Sequence, residues 1–274
     1  MKVGIIGGTG QMGAFFATVF TRSGHEVRIS GRKTAITNQD LAHQSDLLVI
    51  SVPIHSTVQV IEEIAPLMRQ DQIISDLTSL KTGPVSAMLK TSAEVIGMHP
   101  MFGPTANSLQ GQTIIITPGR CTEDHIQMLS DLFGAQGARV TITTPEHHDQ
   151  MMAVIQGLTH FKALVMAETM RRLGITPEET EPFMSPIYRI ETSVAGRILA
   201  QDPSLYADIL SQNPEIPKVL DTCCQSAEMF REIITAGDTA AFSEMFLDDR
   251  RWFGEYCTRS LEETDRLIAT MVRA

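Results

Sequence analysis

The sequence predicts an α/β protein in which a mostly parallel, doubly wound sheet is followed by an all-helical domain. Short apolar runs alternate with helical patterns up to about residue 145, which is typical of parallel strands covered by helices on both faces. After Pro145 the strand patterns stop, and the remaining segments have helical periodicity. A chain of 274 residues can bury the cores of two domains, which we place at 1–145 and 146–274.

The elements of the first domain follow from apolar runs and from the turn residues between them. Strands are expected at 2–7, 26–30, 46–53, 72–77, 93–98, 112–117 and 139–144. The first helix, at 12–24, has one apolar face and reaches Gly24, a common stop signal. The helix after the third strand is expected to begin at Ser56, because Gln59 follows at the spacing of a capping box. Further helices are expected at about 83–91 and 123–133.

The second domain is predicted to consist of helices at 146–173, 185–201, 203–211, 214–236 and 238–272. On a wheel of about 100° per residue, Asp149, Gln156 and His160 lie within about 40° of each other, opposite an apolar face. The apolar face comprises Met151, Val154, Ile155, Leu158, Phe161 and Val165. The polar face is either solvated or the wall of a binding site, and the wheel alone leaves both interpretations open.

Composition and charge restrict the class of partner. The formal net charge of −10 argues against nucleic acid or an anionic membrane as a partner. No apolar run approaches the roughly 18 residues of a membrane span, and the N-terminus has the pattern of a strand rather than of a signal peptide. The four cysteines lack metal-binding spacing, so we expect reduced thiols, no metal site and a cytoplasmic location.

A glycine-rich turn joins the first strand to the first helix. It consists of Gly8, Thr9, Gly10, Gln11, Met12 and Gly13, and it fits the pattern GxGxxG. In this strand–turn–helix context the glycines allow a dinucleotide pyrophosphate to approach the backbone, and the helix N-terminus attracts its charge. We predict a dinucleotide site here, with Val52 and Pro53 at the end of the third predicted strand as further contacts. The alternative is a tight turn that binds no ligand.

The end of the second strand bears on the choice of nucleotide. Many NAD-binding proteins of this fold carry an acid about 20 residues after the glycine turn, where it binds the ribose 2′-hydroxyl. Here the strand ends in Ser30, followed by Gly31, Arg32 and Lys33, without a carboxylate. Ser30, Arg32 and Lys33 can instead hold a 2′-phosphate, so the pattern favours NADP over NAD. The alternative is a solvated basic turn.

His99 is the candidate general base. It follows the predicted strand 93–98 in "GMHPMFGP", which we interpret as a loop stiffened by Pro100 and Pro104. The end of that strand is expected at the carboxyl edge of the sheet, where doubly wound folds bind ligands. A neutral imidazole with a pKa near 6.5 can accept a hydroxyl proton at neutral pH. The alternative is an ordinary loop histidine.

Several motifs together resemble one enzyme family. They are "GGTGQMG", "DLTSLKTGP", "GMHPMFGP", "EHHDQMMAVIQGLTH" and "SPIYRIETSVAGRILAQDPSLYADI". In order and spacing they resemble the prephenate dehydrogenases of tyrosine biosynthesis, and most closely the dehydrogenase portion of the bacterial bifunctional chorismate mutase–prephenate dehydrogenases. The resemblance covers nearly the whole chain. No mutase portion precedes the first strand and no regulatory domain follows, so mutase activity is not expected.

The resemblance implies a Rossmann-type domain, a helical dimerisation domain, a homodimer, and an active site in the cleft between the domains. The implied reaction is the oxidative decarboxylation of prephenate to 4-hydroxyphenylpyruvate, with hydride transfer to a nicotinamide cofactor. By position, His99 is the catalytic histidine, and Ser79 holds the substrate hydroxyl and this histidine, with Lys81 nearby. His160 contacts the pyruvyl side chain, and Arg197 binds the ring carboxylate.

The charge of prephenate requires local cations, because the substrate is a dianion and the protein has a negative net charge. Arg197 can pair with a carboxylate through two hydrogen bonds, and Lys81 adds a point charge. Arg189 precedes Arg197 by eight residues on the same predicted helix, where it either assists or forms a surface ion pair. Gln156, on the same wheel face as His160, completes the predicted substrate-binding set.

Other functions remain as alternatives. Arogenate dehydrogenase is the nearest, since arogenate differs from prephenate by an ammonium in place of the keto group. A β-hydroxyacid dehydrogenase would need asparagine four residues after a lysine in the linking helix, whereas Met166 follows Lys162 at that spacing. A regulator that binds NADP without turnover would leave His99, Ser79 and Arg197 without a purpose.

Overall fold

The computed structural model describes residues 1–273, and it confirms the predicted fold class. Its strands are β1 (Lys2–Ile6), β2 (Glu26–Ser30), β3 (Leu47–Ile50), β4 (Ile73–Asp76), β5 (Glu94–Pro100), β6 (Thr113–Pro118) and β7 (Arg139–Ile142). They form one seven-stranded sheet in the order β2-β1-β3-β4-β5-β6-β7. All neighbouring strands are parallel except β5 and β6, which are antiparallel.

The helices of the sheet-containing part alternate with these strands. They are α1 (Gln11–Arg22), α2 (Asn38–Gln44), α3 (Ile54–Ile64), α4 (Thr82–Met88), α5 (Glu123–Gly134) and α6 (Pro145–Met152). The later helices are α7 (Thr159–Leu173), α8 (Pro177–Thr180), α9 (Pro186–Leu199), α10 (Pro203–Gln212), α11 (Ile216–Ala236), α12 (Thr239–Phe253) and α13 (Tyr256–Arg273). Within residues 1–273, no helix combines the length and apolarity needed to cross a membrane.

Helices cover the sheet on both faces, which explains why its central strands are apolar throughout. All residues of β3 and β4 are buried, as expected for parallel strands enclosed in this way. On one face α1 and α5 contribute Phe16, Phe20 and Phe133, whose rings contact one another. On the other face α3 contributes Ile61 and Ile64 to a second apolar layer.

The strand order creates a switch point between β1 and β3. The chain passes from β1 outward to β2, and then returns to the other side of β1 to form β3. The connections after β1 and β3 therefore leave the sheet in opposite directions at its carboxyl edge. Doubly wound sheets bind their ligands in the crevice that opens there.

The chain divides into two compact units. The first comprises Met1–Ala153 and Ala207–Pro214, and the second comprises Val154–Tyr206 and the residues from Glu215 onward. The predicted boundary near residue 145 precedes α6, which this division assigns to the first unit. One reason is that α6 bonds to other parts of this unit. The side-chain amide of Asn213, for example, donates to the backbone carbonyl of Asp149 at 2.8 Å.

The helix predicted at 146–173 is interrupted, which changes the face of each residue. A π-helical segment, Ala153–Leu158, separates α6 from α7. Because a π turn has more residues than an α turn, a wheel of constant angle does not apply across it. Asp149 is accordingly buried in the first unit, whereas Gln156 and His160 belong to the second. The predicted apolar face is also not buried as a core, since Val154 and Ile155 are 47% and 51% exposed.

Two other predicted helix boundaries were wrong. The helix after β3 begins at Ile54 rather than Ser56, with Pro53 as its N-cap and no side-chain cap. The helix predicted at 238–272 is two helices, because Gly254 adopts φ 56° after Phe253 and ends α12. By contrast, the predicted start of α9 at residue 185 agrees with the structure, where Ser185 is the N-cap and its hydroxyl accepts a hydrogen bond from the Tyr188 amide.

Candidate active site

The glycine turn is shaped by close contacts at two of its three glycines. A Cβ at Gly8 would lie 2.5 Å from the side chain of Ile29, and a Cβ at Gly13 would lie 2.5 Å from the carbonyl of Gly7. Gly10 is exposed, and the nearest atom to an added Cβ would be the same carbonyl at 3.2 Å, a tight contact but the mildest of the three. The first and third glycines therefore serve packing, whereas the second leaves the backbone accessible to a ligand.

The N-terminus of α1 is suited to an anion. Its N-cap is Gly10, no side chain caps it, and its first turn, which begins with Gln11 and Met12, contains no acidic residue. Its N–H groups are therefore not satisfied by a local carboxylate or hydroxyl, as in sites that bind a pyrophosphate. On the other side of the switch point, Val52 lies close to Gly7, where an added Cβ would be 3.1 Å from the Val52 side chain. Pro53 follows it and begins α3.

The end of β2 borders this turn. Thr9 contacts Gly31, where an added Cβ would lie 2.3 Å from the threonine hydroxyl oxygen. Ser30 is fully buried, and its hydroxyl donates to the side-chain oxygen of Asn38 at 2.8 Å. Arg32 and Lys33 are exposed, and neither forms an ion pair with any residue in 1–273. The burial of Ser30 conflicts with its predicted contact to a 2′-phosphate, and the contacts of Arg32 and Lys33 with such a phosphate stay predictions.

His99 lies in a strand, so the prediction of a loop at this position was wrong. Hydrogen bonding to the antiparallel strand β6 continues β5 as far as Pro100, and His99 pairs with Ile115. The sequence signal of Pro100 was misleading because the pairing partner is distant along the chain. In the register with β4, Asp76 pairs with Gly97, so His99 lies just beyond the carboxyl end of β4. Its side chain is buried, with 2% of the residue exposed.

A chain of hydrogen bonds extends from His99 into α6. Nδ1 of His99 lies 2.8 Å from Nε2 of His148, and Nδ1 of His148 lies 2.8 Å from Oδ1 of Asp149. The Asp149 carboxylate also accepts the backbone N–H groups of Lys81 and Thr82, each at 2.9 Å. His148 and Asp149 are both buried. The carboxylate is therefore held in place by three N–H groups.

The charge states of these residues follow from burial and hydrogen bonding. Burial lowers the pKa of His99 well below its ordinary value, and nearby His148 and Lys81 lower it further. Burial also lowers the pKa of His148, although the hydrogen bond to Asp149 opposes this shift. Burial raises the pKa of Asp149, but hydrogen bonds from His148, Thr82 and Lys81 outweigh it and hold this pKa below its ordinary value. At neutral pH this chain of hydrogen bonds therefore joins two neutral histidine rings, those of His99 and His148, to the ionised carboxylate of Asp149.

Lys81 does not occupy the position expected of a substrate ligand. Its side chain is fully buried, and its ammonium forms an ion pair with Asp76 and donates to the Met98 carbonyl at 2.8 Å. Burial lowers the pKa of Lys81, and the neighbouring Asp76 opposes that shift. The prediction that Lys81 adds a charge for the substrate conflicts with this geometry, because its ammonium is already engaged inside the sheet domain. Half-buried Ser79 lies in the same connection after β4, and its role stays a prediction.

The other predicted substrate residues lie in the second unit. Gln156 is in the π-helical segment, His160 in α7 and Arg197 in α9. The ring of His160 packs edge-on against Tyr206, with centroids 4.9 Å apart, and burial lowers the pKa of His160. Burial raises the pKa of Tyr206, and the charge of Arg197 partly opposes this. The structure thus groups His160, Tyr206 and Arg197 within this unit.

Tyr206 and Asp149 were not identified as site residues from the sequence. Tyr206 lies in the "SPIYR…SLYADI" motif, and the motif was the only signal that could have indicated it. Arg189 lines a cavity of about 450 Å³ with Glu181, Met184 and Met271, and it forms no ion pair with the described residues. The surface ion pair considered for it is therefore not present. Lys162, by contrast, pairs on the surface with Glu191 at 3.5 Å.

The fold and the site define a protein with a Rossmann-type nucleotide-binding domain followed by helices. Residues 22–142 match the family profile described as prephenate dehydrogenase, nucleotide-binding domain, and residues 144–248 match prephenate dehydrogenase, dimerization domain. A T-protein of Haemophilus influenzae is 32% identical over 97% of this chain and 71% of its own length. The chain belongs to the prephenate dehydrogenase family.

Other relatives differ in the substrate that their names state. A probable arogenate/prephenate dehydrogenase of Methanocaldococcus jannaschii is 33% identical over 98% of this chain, and the chain spans 64% of that relative's length. The solved Synechocystis arogenate dehydrogenase has a TM-score of 0.74 and 19% identity, with 93% of this chain and all of that chain covered. A prephenate dehydrogenase from A. aeolicus, solved with hydroxyphenyl propionate and NAD⁺, has a TM-score of 0.71, 21% identity, and 93% and 98% coverage. At these identities the two structures support the fold.

Proposed function

We propose that this chain converts prephenate to 4-hydroxyphenylpyruvate by oxidative decarboxylation, with NADP as the hydride acceptor. The observation that carries the proposal is a buried, neutral histidine at the carboxyl edge of a sheet whose switch point has a glycine turn with an exposed second glycine. A bound nicotinamide ring supplies the acceptor for hydride from the carbinol carbon. His99 takes the hydroxyl proton as the hydride leaves, and loss of carbon dioxide makes the ring aromatic.

The low pKa of His99 suits this role, because the ring stays neutral and able to accept a proton at neutral pH. Ser79 is proposed to hold the substrate hydroxyl. For the dianionic substrate, Arg197 is proposed to bind the ring carboxylate through charge-assisted hydrogen bonds. His160 and Gln156 are proposed to contact the pyruvyl side chain. Support for His160 comes from its half-buried ring and from a buried Nδ1 that has no hydrogen-bond partner among the described residues.

Replacing Arg197 with alanine is expected to raise the Michaelis constant for prephenate by about ten- to a hundredfold. A charge-assisted hydrogen bond contributes roughly 1.5–3 kcal/mol, and a bond to a carboxylate that persists from ground state to transition state affects binding more than turnover. Steady-state kinetics checks this, with Arg172→Ala as a control because Arg172 forms a surface pair with Glu168. An unchanged Michaelis constant for prephenate would place the carboxylate elsewhere.

Replacing Arg32 with alanine is expected to raise the Michaelis constant for NADP about tenfold and that for NAD only slightly, because a 2′-phosphate contact is lost. The comparison of the two nucleotides in one variant separates this contact from a general weakening of the site. Lys90→Ala is a suitable control, since it removes another exposed cation of the same unit. A wild-type enzyme that uses NAD tenfold more efficiently than NADP would contradict the proposed preference.

One assay tests the function itself. Reduction of NADP and of NAD is measured with prephenate, arogenate and a 3-hydroxy acid. Arogenate dehydrogenase is the second candidate, because relatives of both substrate classes match the chain over nearly its whole length. Preference for arogenate would establish this alternative. Absence of turnover with every substrate, together with tight NADP binding, would instead support a nucleotide-sensing regulator.

We also propose that the chain is a homodimer that assembles through the second unit. Support comes from the match to a dimerization domain and from large apolar side chains on the helices of this unit. Trp252 is 85% exposed and Leu261 is 64% exposed. Exposed apolar surface of this kind is typical of a protein–protein interface.

A further inference from the structure

We propose that His148 and Asp149 are positioning residues that fix the tautomer of His99, so that its Nε2 is the atom that accepts the substrate proton. The geometric part of this inference concerns the first unit alone. Its catalytic consequence rests on the proposed function. The relevant observation is the hydrogen-bond chain from His99 Nδ1 through His148 to the Asp149 carboxylate.

The direction of each hydrogen bond follows from the carboxylate. Asp149 is ionised at neutral pH and can only accept, so Nδ1 of His148 must carry a hydrogen and donate it. In a neutral ring Nε2 of His148 then has no hydrogen and accepts one. Nδ1 of His99 is therefore the donor in the bond between the rings, and Nε2 of His99 is the nitrogen with the lone pair.

The position of the carboxylate is itself fixed. Oδ1 accepts the Lys81 amide and Oδ2 accepts the Thr82 amide, so the carboxylate plane cannot turn without breaking a bond to the start of α4. Asn213 also holds the backbone carbonyl of Asp149. Because His148 is 1% exposed and Asp149 is 3% exposed, water does not compete effectively for these bonds.

The charges around His99 support a second effect. His148 contacts His99 from α6 and is itself bonded to Asp149, while Lys81 acts on His99 from the connection after β4 and is paired with Asp76. The positive charge of Lys81 is already paired with Asp76, so the negative charge of Asp149 is left to stabilise a protonated histidine. When Nε2 of His99 takes the substrate proton, the ring becomes an imidazolium. Its positive charge can be shared with His148 through the bond between the rings, while Asp149 stays ionised.

A tautomer measurement tests the geometric part without any substrate. In protein labelled with ¹⁵N at its eight histidines, long-range ¹H–¹⁵N spectra distinguish Nδ1–H from Nε2–H rings. His99 and His148 are both expected as Nδ1–H tautomers. The variants His99→Asn and His148→Gln each lack the signal of one ring, which assigns the two signals. In Asp149→Asn the Nδ1–H pattern of His99 is expected to weaken. An Nε2–H tautomer of His99 in the wild-type protein would overturn the inference.

Kinetics tests the catalytic part. His148→Gln retains an oxygen that can accept the His99 hydrogen but loses the link to Asp149. We expect its turnover to fall about ten- to a hundredfold, as for other residues that orient a functional histidine, with unchanged Michaelis constants for prephenate and NADP. His147→Gln is the matched control, because His147 precedes His148 on α6 and its side chain is exposed. Wild-type turnover in His148→Gln would overturn the inference.

The pH profile separates positioning from a loss of folding. Asp149→Asn removes the negative charge that favours protonated His99, so the acidic limb of turnover is expected to move to lower pH. An acidic limb at the wild-type position in a folded Asp149→Asn protein would contradict the inference. If circular dichroism shows that this variant is unfolded, the turnover of His148→Gln is the measurement that decides the inference. A wild-type protein with the expected tautomers but no activity on any substrate would refute the proposed function and leave the geometric part intact.

Discussion

Replacing His99 with asparagine is expected to lower turnover by about a hundred- to ten-thousandfold, the usual contribution of a general base. Asparagine keeps a hydrogen-bonding group near the same position but cannot accept the substrate proton. Binding of prephenate and of NADP is expected to change little, because the imidazole acts mainly in the transition state. Steady-state and single-turnover rates measure the loss, with His147→Asn as an exposed control on α6.

The pH dependence of the wild-type enzyme provides a second measurement for His99. The base is active when neutral, so the rate is expected to rise with pH through the pKa of His99. Burial, with nearby His148 and Lys81, lowers this pKa, so the acidic limb is expected below the ordinary value of about 6.5. His99→Asn should lack this limb. Near wild-type turnover with the same limb in the variant would return His99 to a structural role, and His160 or His148 would be the next base to test.

Replacing Lys81 with methionine is expected to lower the free energy of unfolding by about 3–5 kcal/mol. The change leaves the Asp76 carboxylate buried without its cation, and breaking a fully buried pair from one side has a cost of this size. Denaturant unfolding measures it. Lys90→Met is the control, because it breaks an exposed pair with Glu62 and should cost at most about 1 kcal/mol.

A double variant shows whether the cost belongs to the unpaired carboxylate. Adding Asp76→Leu to Lys81→Met removes both charges, and stability is expected to recover in part. Unchanged stability in Lys81→Met, combined with a raised Michaelis constant for prephenate, would show that Lys81 acts on the substrate as the sequence resemblance implied. Loss of stability with normal substrate binding would show that the ion pair supports the site from inside the sheet.

The sheet domain was predictable because its signals are local. Runs such as "KVGIIG" and "DLLVIS" are apolar throughout and are bounded by glycine, proline or polar residues, which marks buried parallel strands. The glycine turn was likewise predictable, since its spacing and its strand–helix context lie within one short segment. Strand pairing is not local, and for that reason the strand geometry of His99, which depends on β6, was predicted as a loop.

The site was predictable only where a residue acts through its own motif. His99 and Arg197 were nominated in this way, and their roles stay predictions. The wheel assigned Asp149 to the same helix face as Gln156, and that assignment was wrong. A π-helical segment changes the angle between the two residues, and such a segment has no signature in an apolar pattern. The ion pair between Lys81 and Asp76 was also not predicted. The five-residue spacing of the two side chains does not show whether they pair with each other or bind something else.

The hydrogen bond between Ser30 and Asn38 makes a change of cofactor a problem of two positions. Design of an NAD-preferring variant would usually begin by placing aspartate at the end of β2. At position 30 that carboxylate would replace a fully buried hydroxyl, and the Asn38 amide would have to turn so that its NH₂ group, rather than its oxygen, faces the acid. A buried charge is unfavourable unless it is paired, so the single substitution is expected to reduce stability if Asn38 does not turn. Placing an acid at the end of β2 therefore depends on whether Asn38 can supply that donor, and not on position 30 alone.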